Sequence, residues 1–152
     1  MDGTVYANDG IKVVALDPAS GKVKWASPCS SNSLILSRTG TVYCSSLSGS
    51  TVALDGATGA VLWSREQIIA TACAGDGTLY GISHVVVGGA NAYDLVALDG
   101  ATGNVKWHVS PGPNATFIPD SGRVEPIVGK DGTIYIATYS VLDGQVSIME
   151  IR

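Results

Sequence analysis

Apolar residues in this chain come in runs of four or five, and each run is closed by turn residues. The pattern is clearest over residues 33–64. Ser33–Ser37 is a β-prone run, Arg38-Thr39-Gly40 a turn, and Thr41–Ser45 a second run. Leu47–Ser50 is a Gly/Ser turn, Thr51–Leu54 a third strand, Asp55–Gly59 a tight turn, and Ala60–Ser64 a fourth strand. Four short strands with turn signals between them predict an antiparallel meander. In the turn, Asp55 can accept from backbone amides just ahead of it, and Gly59 can adopt a left-handed conformation without steric cost. Alternation along the strands puts Ala53 on the face opposite Val52 and Leu54, and puts Val61 and Trp63 on one face.

This unit repeats. Ala-Leu-Asp-x-Ala-Ser/Thr-Gly-x-Val-x-Trp runs over residues 15–25, 53–63 and 97–107. Asp/Thr-Gly-Thr-Val/Leu/Ile-Tyr precedes each copy, ending at Tyr6, Tyr43 and Tyr80, and occurs a fourth time ending at Tyr135. The tryptophans are 38 and 44 residues apart. A period of about 40 residues made of short strands predicts an all-β array of four-stranded blades, a β-propeller. The whole chain, 1–152, reads as one partial propeller domain with repeats near 1–27, 28–66, 67–110 and 111–152. A lone blade cannot cover both of its faces, so neighbouring blades must do so.

The outer repeats differ from the inner two. The first opens at the turn before its second strand. In the fourth, Val146–Glu150 aligns with Val-x-Ala-Leu-Asp, with Ile148 at the alanine and Glu150 at the aspartate. The reading is three strands, two full blades, then three strands. Such an array predicts cut edges that seek cover. A dimer closing a ring by two-fold rotation is one solution; a compact four-bladed ring or a place within a longer propeller are the others.

Composition narrows the function classes. The net charge is −4 and the nine Lys and Arg residues are scattered, which argues against a nucleic-acid surface or an anionic-membrane anchor. No apolar run reaches the roughly 18 residues of a membrane span. Met1 leads directly into a strand motif, with no export signal visible. Cys29, Cys44 and Cys73 have no zinc-ligand spacing. They read as three small apolar packers, with one disulfide such as Cys29–Cys44 as the alternative. Asn114-Ala115-Thr116 is a lone glycosylation sequon.

The repeat resembles the quinoprotein-type propeller repeat. In that family Ala, Gly and Trp at positions one, seven and eleven form a tryptophan-docking contact between blades. Ala15, Gly21 and Trp25 match, as do Ala53, Gly59 and Trp63, and Ala97, Gly103 and Trp107. The resemblance implies a ring of seven or eight blades, of which this chain supplies about half. It implies either a quinone-dependent alcohol dehydrogenase or a non-catalytic relative akin to the outer-membrane assembly lipoprotein, and an exported location.

Elaborated loops on a rigid scaffold are where function is expected. Tyr80 to Val96 spans 16 positions where Tyr43 to Val52 spans 9, and Trp107 to Tyr135 spans 28 where Trp25 to Tyr43 spans 18. Both insertions fall on one face of the array. They carry His84, Tyr93, Asp94, His108, Asn114, Phe117, Asp120 and Arg123, and these are read as solvated loop residues with ligand or partner binding as the sharper reading. Glu125 opens the expected innermost strand of the fourth blade, Glu125–Val128; it is read as part of a plain solvated channel wall, with a carboxylate that binds in the channel as the sharper reading.

Three functions are weighed. A non-catalytic binding or assembly propeller needs only a scaffold and one decorated face. A dehydrogenase needs pyrroloquinoline quinone, a calcium ion held by carboxylate and amide oxygens, and a general base; its family members carry adjacent cysteines beneath the cofactor. This chain has neither a Cys-Cys pair nor an acidic cluster, so no cofactor and no metal are expected. A carbohydrate-processing propeller needs paired carboxylates, for which Asp120 and Glu125 are the candidates. The first reading is preferred, with a protein or small molecule as partner.

Overall fold

The structure, a computed structural model, describes residues 2–31, 33–46, 48–87, 90–112, 114–117 and 126–152, and only the backbone of 85–87, 90 and 91. Every regular element is a β-strand, and the strands form four antiparallel sheets that are propeller blades. Blade one is β1 (Val5–Asn8), β2 (Val13–Leu16) and β3 (Val23–Ser27). Blade two is β4 (Ser33–Leu36), β5 (Thr41–Ser46), β6 (Ser50–Asp55) and β7 (Val61–Glu66), in that order across the sheet. Blade three is β8 (Ile68–Cys73), β9 (Thr78–Val87), β10 (Ala90–Asp99) and β11 (Val105–Val109). In blade four, β12 (Ala115–Phe117) and β13 (Ile127–Val128) both pair with β14 (Ile134–Ser140), and β15 (Val146–Ile151) pairs along its other edge. Two short strands laid end to end thus take the inner position that the sequence assigned to residues 125–128 alone.

The turns follow the predicted chemistry. Asp55 Oδ1 accepts from the amides of Ala57 and Thr58 at 3.0 and 2.8 Å, and Gly59 has φ +75°. Asp17 and Asp99 hold the equivalent turns in the same way.

Alternation fails at the same place in each of the first three blades, and in blade three also between Ala70 and Ala72 of β8. Ala53 pairs with Trp63 but Leu54 pairs with Val61, so one residue is bulged between them. The same shift separates Ala15 from Leu16 and Ala97 from Leu98. Val61 is 61% exposed while Trp63 is half-buried, so the expected shared face is broken by the bulge. A bulge of this kind re-aims a side chain, here the tryptophan.

The core is divided among the blade interfaces. Val13, Val42, Cys44 and Leu54 fill the space between blades one and two. Tyr43, Ala53, Ile68, Leu79 and Leu98 fill the next. Ile82, Leu95, Phe117, Ile134 and Ile136 fill the third. Burying each large apolar side chain contributes about 1.5–3 kcal/mol, so stability resides in contacts between blades.

Three expectations are corrected. Cys29 and Cys44 are joined in a disulfide rather than packed as free thiols, and Cys73 is free and partly buried. The blade-three insertion is no loop: β9 and β10 pair continuously from Thr78↔Asp99 to Val87↔Ala90. In blade four Tyr135 pairs with Glu150, whereas Tyr6, Tyr43 and Tyr80 pair with Ala15, Ala53 and Ala97. Glu150 therefore takes the alanine position, Ile151 that of the leucine and Arg152 that of the aspartate, two residues along from the sequence alignment.

Candidate functional site

The elaborated region is the far end of blade three. β8 pairs with β9 only as far as Ser83, and β11 pairs with β10 only as far as Leu95. The β9–β10 hairpin continues beyond both. Tyr93 and His84 face each other across it, with ring centres 5.3 Å apart. Asp94, the next residue, points to the other face of the sheet.

Asp94 is buried, with 9% of its surface exposed. Its Oδ1 accepts from the Ser110 hydroxyl at 2.6 Å, and its Oδ2 lies 3.2 Å from His108 Nδ1. The carboxylate sits between the serine and the histidine. A serine nucleophile needs its proton directed to the imidazole, whereas the Ser110 proton goes to the acid. The cluster is suited to locking the end of β11 onto β10 at the foot of the hairpin. Ser110 was invisible to the sequence reading, since one serine after a strand carries no signal.

The other candidates are dispersed. Asn114 is exposed in a turn and its backbone carbonyl accepts from the Val141 amide at 2.9 Å. Phe117 is fully buried in the core between blades three and four, so it is a packing residue and not a solvated loop residue. Asp120, Arg123 and Glu125 lie outside the described residues.

A second set of contacts lies between blades. The Gly56 carbonyl accepts two hydrogen bonds from blade one, from Tyr6 Oη and from Trp25 Nε1, both 2.9 Å. The Gly100 carbonyl accepts from Tyr43 Oη and Trp63 Nε1 of blade two, again both 2.9 Å. The indoles lie so close to Gly59 and Gly103 that a Cβ there would come within 2.6 and 2.7 Å of Trp25 and Trp63. Burial raises the pKa of the phenols of Tyr6, Tyr43 and Tyr80 above their ordinary value. The tyrosines were read from sequence only as repeat markers, with no contact role, and the two glycines at the fourth motif position were not singled out. The recurring Gly-Thr-x-Tyr and the reading Pro18, Gly56, Gly100 at that position held the signal.

Cavities also lie at these interfaces among the described residues. One of about 460 Å³ is lined by Asp2, Tyr6, Arg38, Gly40, Asp55 and Gly56, among others, between blades one and two on the short-turn face. Another, of about 360 Å³, lies beside Tyr80 and Trp107.

The acidic residues are engaged in turns. Asp2, Asp9, Asp17, Asp55, Asp76, Asp99, Asp131 and Asp143 each accept from a backbone amide two residues ahead, eight of thirteen acids. Turn donors hold the carboxyls below the usual range: the largest cause is a hydroxyl, of Ser20, Thr58 and Ser140, at Asp17, Asp55 and Asp143, a backbone amide at Asp9, Asp76, Asp99 and Asp131, and the Lys24 ammonium at Asp2. A quinone with its calcium needs converging carboxylate and amide oxygens over adjacent cysteines. Among the described residues no group of three His, Cys, Asp or Glu side chains converges, and the bridged cysteines are 15 residues apart in the blade-one/two core. The donor set of the described residues does not fit that cofactor.

The family model described as outer membrane protein assembly factor BamB matches residues 12–152. The chain belongs to that family. Among solved structures it is similar to BamB from Moraxella catarrhalis, with 20% identity and a TM-score of 0.63 over 97% of this chain. It is similar to quinohemoprotein alcohol dehydrogenase ADHIIG from Pseudomonas putida HK5, with 18% identity and a TM-score of 0.63 over 91% of this chain. The WD40 domain of Toxoplasma gondii coronin aligns over 99% of this chain with 13% identity and a TM-score of 0.59. At these identities the likenesses establish the fold. The chain spans 46% of the Moraxella BamB, 27% of the dehydrogenase and 43% of the coronin domain. No curated protein matches the sequence.

Proposed function

We propose that this BamB-family chain is a non-catalytic propeller scaffold that binds a protein partner through the projecting β9–β10 hairpin. The observation that carries the reading is the hairpin itself: two ten-residue strands that outrun their neighbours, with His84 tilted against Tyr93 on one face and the Asp94–His108–Ser110 cluster on the other. An aromatic pair on a rigid arm offers contact area at low conformational cost. The family description, an assembly factor for outer membrane proteins, supports a protein rather than a small molecule as partner. The buried Cys29–Cys44 bridge supports an oxidising, exported location.

Docking of Trp25 and Trp63 on the next blade is the structural part of the proposal: the two indoles tie the scaffold that carries the hairpin. The apolar outer face of blade four, with Val146 62% and Ile148 73% exposed, supports cover by a second copy or by a further blade. A dehydrogenase-like role is the second reading, favoured by the likeness to ADHIIG and opposed by the donor set. The carbohydrate-processing reading rests on Asp120 and Glu125, outside the described residues.

The test is photocrosslinking from two positions, Tyr93 on the hairpin and Ala57 on the short-turn face. A discrete protein adduct from position 93 and none from 57 is expected, and Tyr93→Ala should weaken binding of the identified partner at least tenfold. Equal adducts from both positions refute the hairpin as the binding element. Alcohol-dependent dye reduction on adding pyrroloquinoline quinone and calcium refutes the non-catalytic reading.

A further inference from the structure

Within blade three, β10 is paired on both sides only as far as Leu95. Beyond that residue β11 has ended, and the register gives the reason. Leu95 pairs with Val109, so Ser110 falls opposite Asp94 and Pro111 falls opposite Tyr93. Proline has no N–H to give to a strand beside it, so the ladder stops there. Ser110 is tied to Asp94 through its hydroxyl instead, at 2.6 Å.

The backbone groups left over can be named. The His84 amide donates to the Gln67 carbonyl at 2.9 Å, so the His84 backbone points away from β10. In an antiparallel pair, two residues directly opposite each other both face inward or both face outward. Tyr93 lies opposite His84, so its N–H and C=O point to the outer side of β10, and those of Asn91, two residues on, do the same. Neither residue has a backbone partner on that side among the described residues. On the β9 side the same alternation leaves only Val86, opposite Asn91. The β10 edge thus offers two donors and two acceptors at strand spacing, and the β9 edge one of each.

This edge is also unguarded. The outer strands of the first three blades carry charges: Lys24 in β3, Arg65 and Glu66 in β7, Lys106 in β11. Residues 84–93 contain no Asp, Glu, Lys, Arg or Pro. Charge and proline are the usual means of keeping a strand edge from pairing.

We infer that the outer edge of β10 at Asn91 and Tyr93 is a strand-acceptor site, which takes an extended, uncharged segment of a partner polypeptide antiparallel to β10 and in line with β11. This rests on the reading of the hairpin as the binding element and specifies how the partner is held. An extended backbone supplies donors and acceptors at the spacing of Tyr93 and Asn91, and main-chain bonds then carry the affinity. The stretch 84–93 has no charge to pair with one on the ligand. The Tyr93 ring, tilted against His84, favours an aromatic or β-branched residue opposite it, the kind of cross-strand pair that stabilises antiparallel strands. A second copy pairing through its own β10 would set Asn91 opposite Tyr93 and lacks that residue. That argues for a different polypeptide.

The probe is the synthetic peptide Thr-Val-Thr-Val-Thr, blocked at both ends, added to the isotope-labelled chain. Saturable shifts of the Tyr93 and Asn91 amide signals are expected, with slowed exchange at both and no slowing at Val86. The fully N-methylated peptide, which has no donors, should bind at least tenfold more weakly. Asn91→Pro removes one outward N–H, puts a ring in its place and leaves Tyr93 and His84 intact; it should also weaken binding at least tenfold. Val86→Pro is the matched change on the opposite edge and should bind the peptide as the parent does. No saturable shift, binding by Asn91→Pro equal to the parent, or equal loss from both prolines overturns the inference. So does protection of the Tyr93 amide that appears without peptide and tracks dimer formation in sedimentation, because a second copy would then be the occupant. The hairpin reading fails separately, by equal crosslinking from positions 93 and 57.

Discussion

The Gly100 carbonyl is the most demanding test of how the blades are joined, because two side chains share it. Tyr43 is 2% exposed and Gly100 is buried. Tyr43→Phe removes one of two donors, a net loss of about 1 kcal/mol, and the carbonyl stays satisfied by Trp63. Trp63→Phe removes the other donor and part of a packed ring, about 2 kcal/mol. If the effects were independent, the double variant would lose about 3 kcal/mol. Removing both donors leaves a buried carbonyl oxygen without its partners, a further penalty of about 1–3 kcal/mol. The cycle should therefore show destabilising coupling of at least 1 kcal/mol in urea unfolding. Tyr80→Phe with Trp107→Phe is the matched control. Those rings touch in the same way, at 5.8 Å, but share no glycine carbonyl among the described residues. Ring–ring coupling is common to both cycles, so their difference reports the carbonyl. Equal coupling within about 0.5 kcal/mol, the limit of ordinary additivity, refutes the shared-acceptor account.

Two further outcomes follow from the same geometry. Reducing the Cys29–Cys44 bridge, which closes a 15-residue separation, should lower stability by about 3 kcal/mol; a melting temperature unchanged by reductant would show that the bridge does not constrain the unfolded chain. The turn aspartates have folded pKa values depressed below their unfolded values, so the stability they supply is present above the unfolded value and lost as pH falls through the folded ones. Melting temperature should be level near neutrality and fall below about pH 4, and a profile still level at pH 2.5 would refute the role of the caps.

The fold was legible because the same physical unit is written several times. Each copy pairs a turn-capping aspartate with a glycine at positive φ, and repetition separates this signal from chance. What was not legible follows from the same cause. A bulge adds one residue without changing composition, so Val61 and Trp63 read as one face when they are not. In blade four the motif is eroded, and a two-residue slip in alignment put Ile148 where the paired backbone puts Glu150. The blade-three insertion lengthens two strands without changing their alternation, and length alone reads as a loop. Phe117 shows the remaining difficulty: an isolated aromatic in a Pro- and Gly-rich stretch carries no period, so only packing reveals that it is core.

The way the carboxylates are used also bears on why one scaffold serves both enzymes and binding proteins. Turn capping and ion binding compete for the same aspartates. Asp55 accepts from the amides of Ala57 and Thr58 and from the Thr58 hydroxyl, all at Oδ1, so that oxygen is committed to the turn. A catalytic propeller must therefore add acids beyond its turns. Among the described residues the one buried acid beyond them, Asp94, is also engaged, by Ser110 and His108, and its position is at the root of the hairpin. On the proposed reading the Asp94 cluster holds the root of a binding arm, and an arm ordered in advance lowers the ordering entropy that binding a partner would otherwise cost.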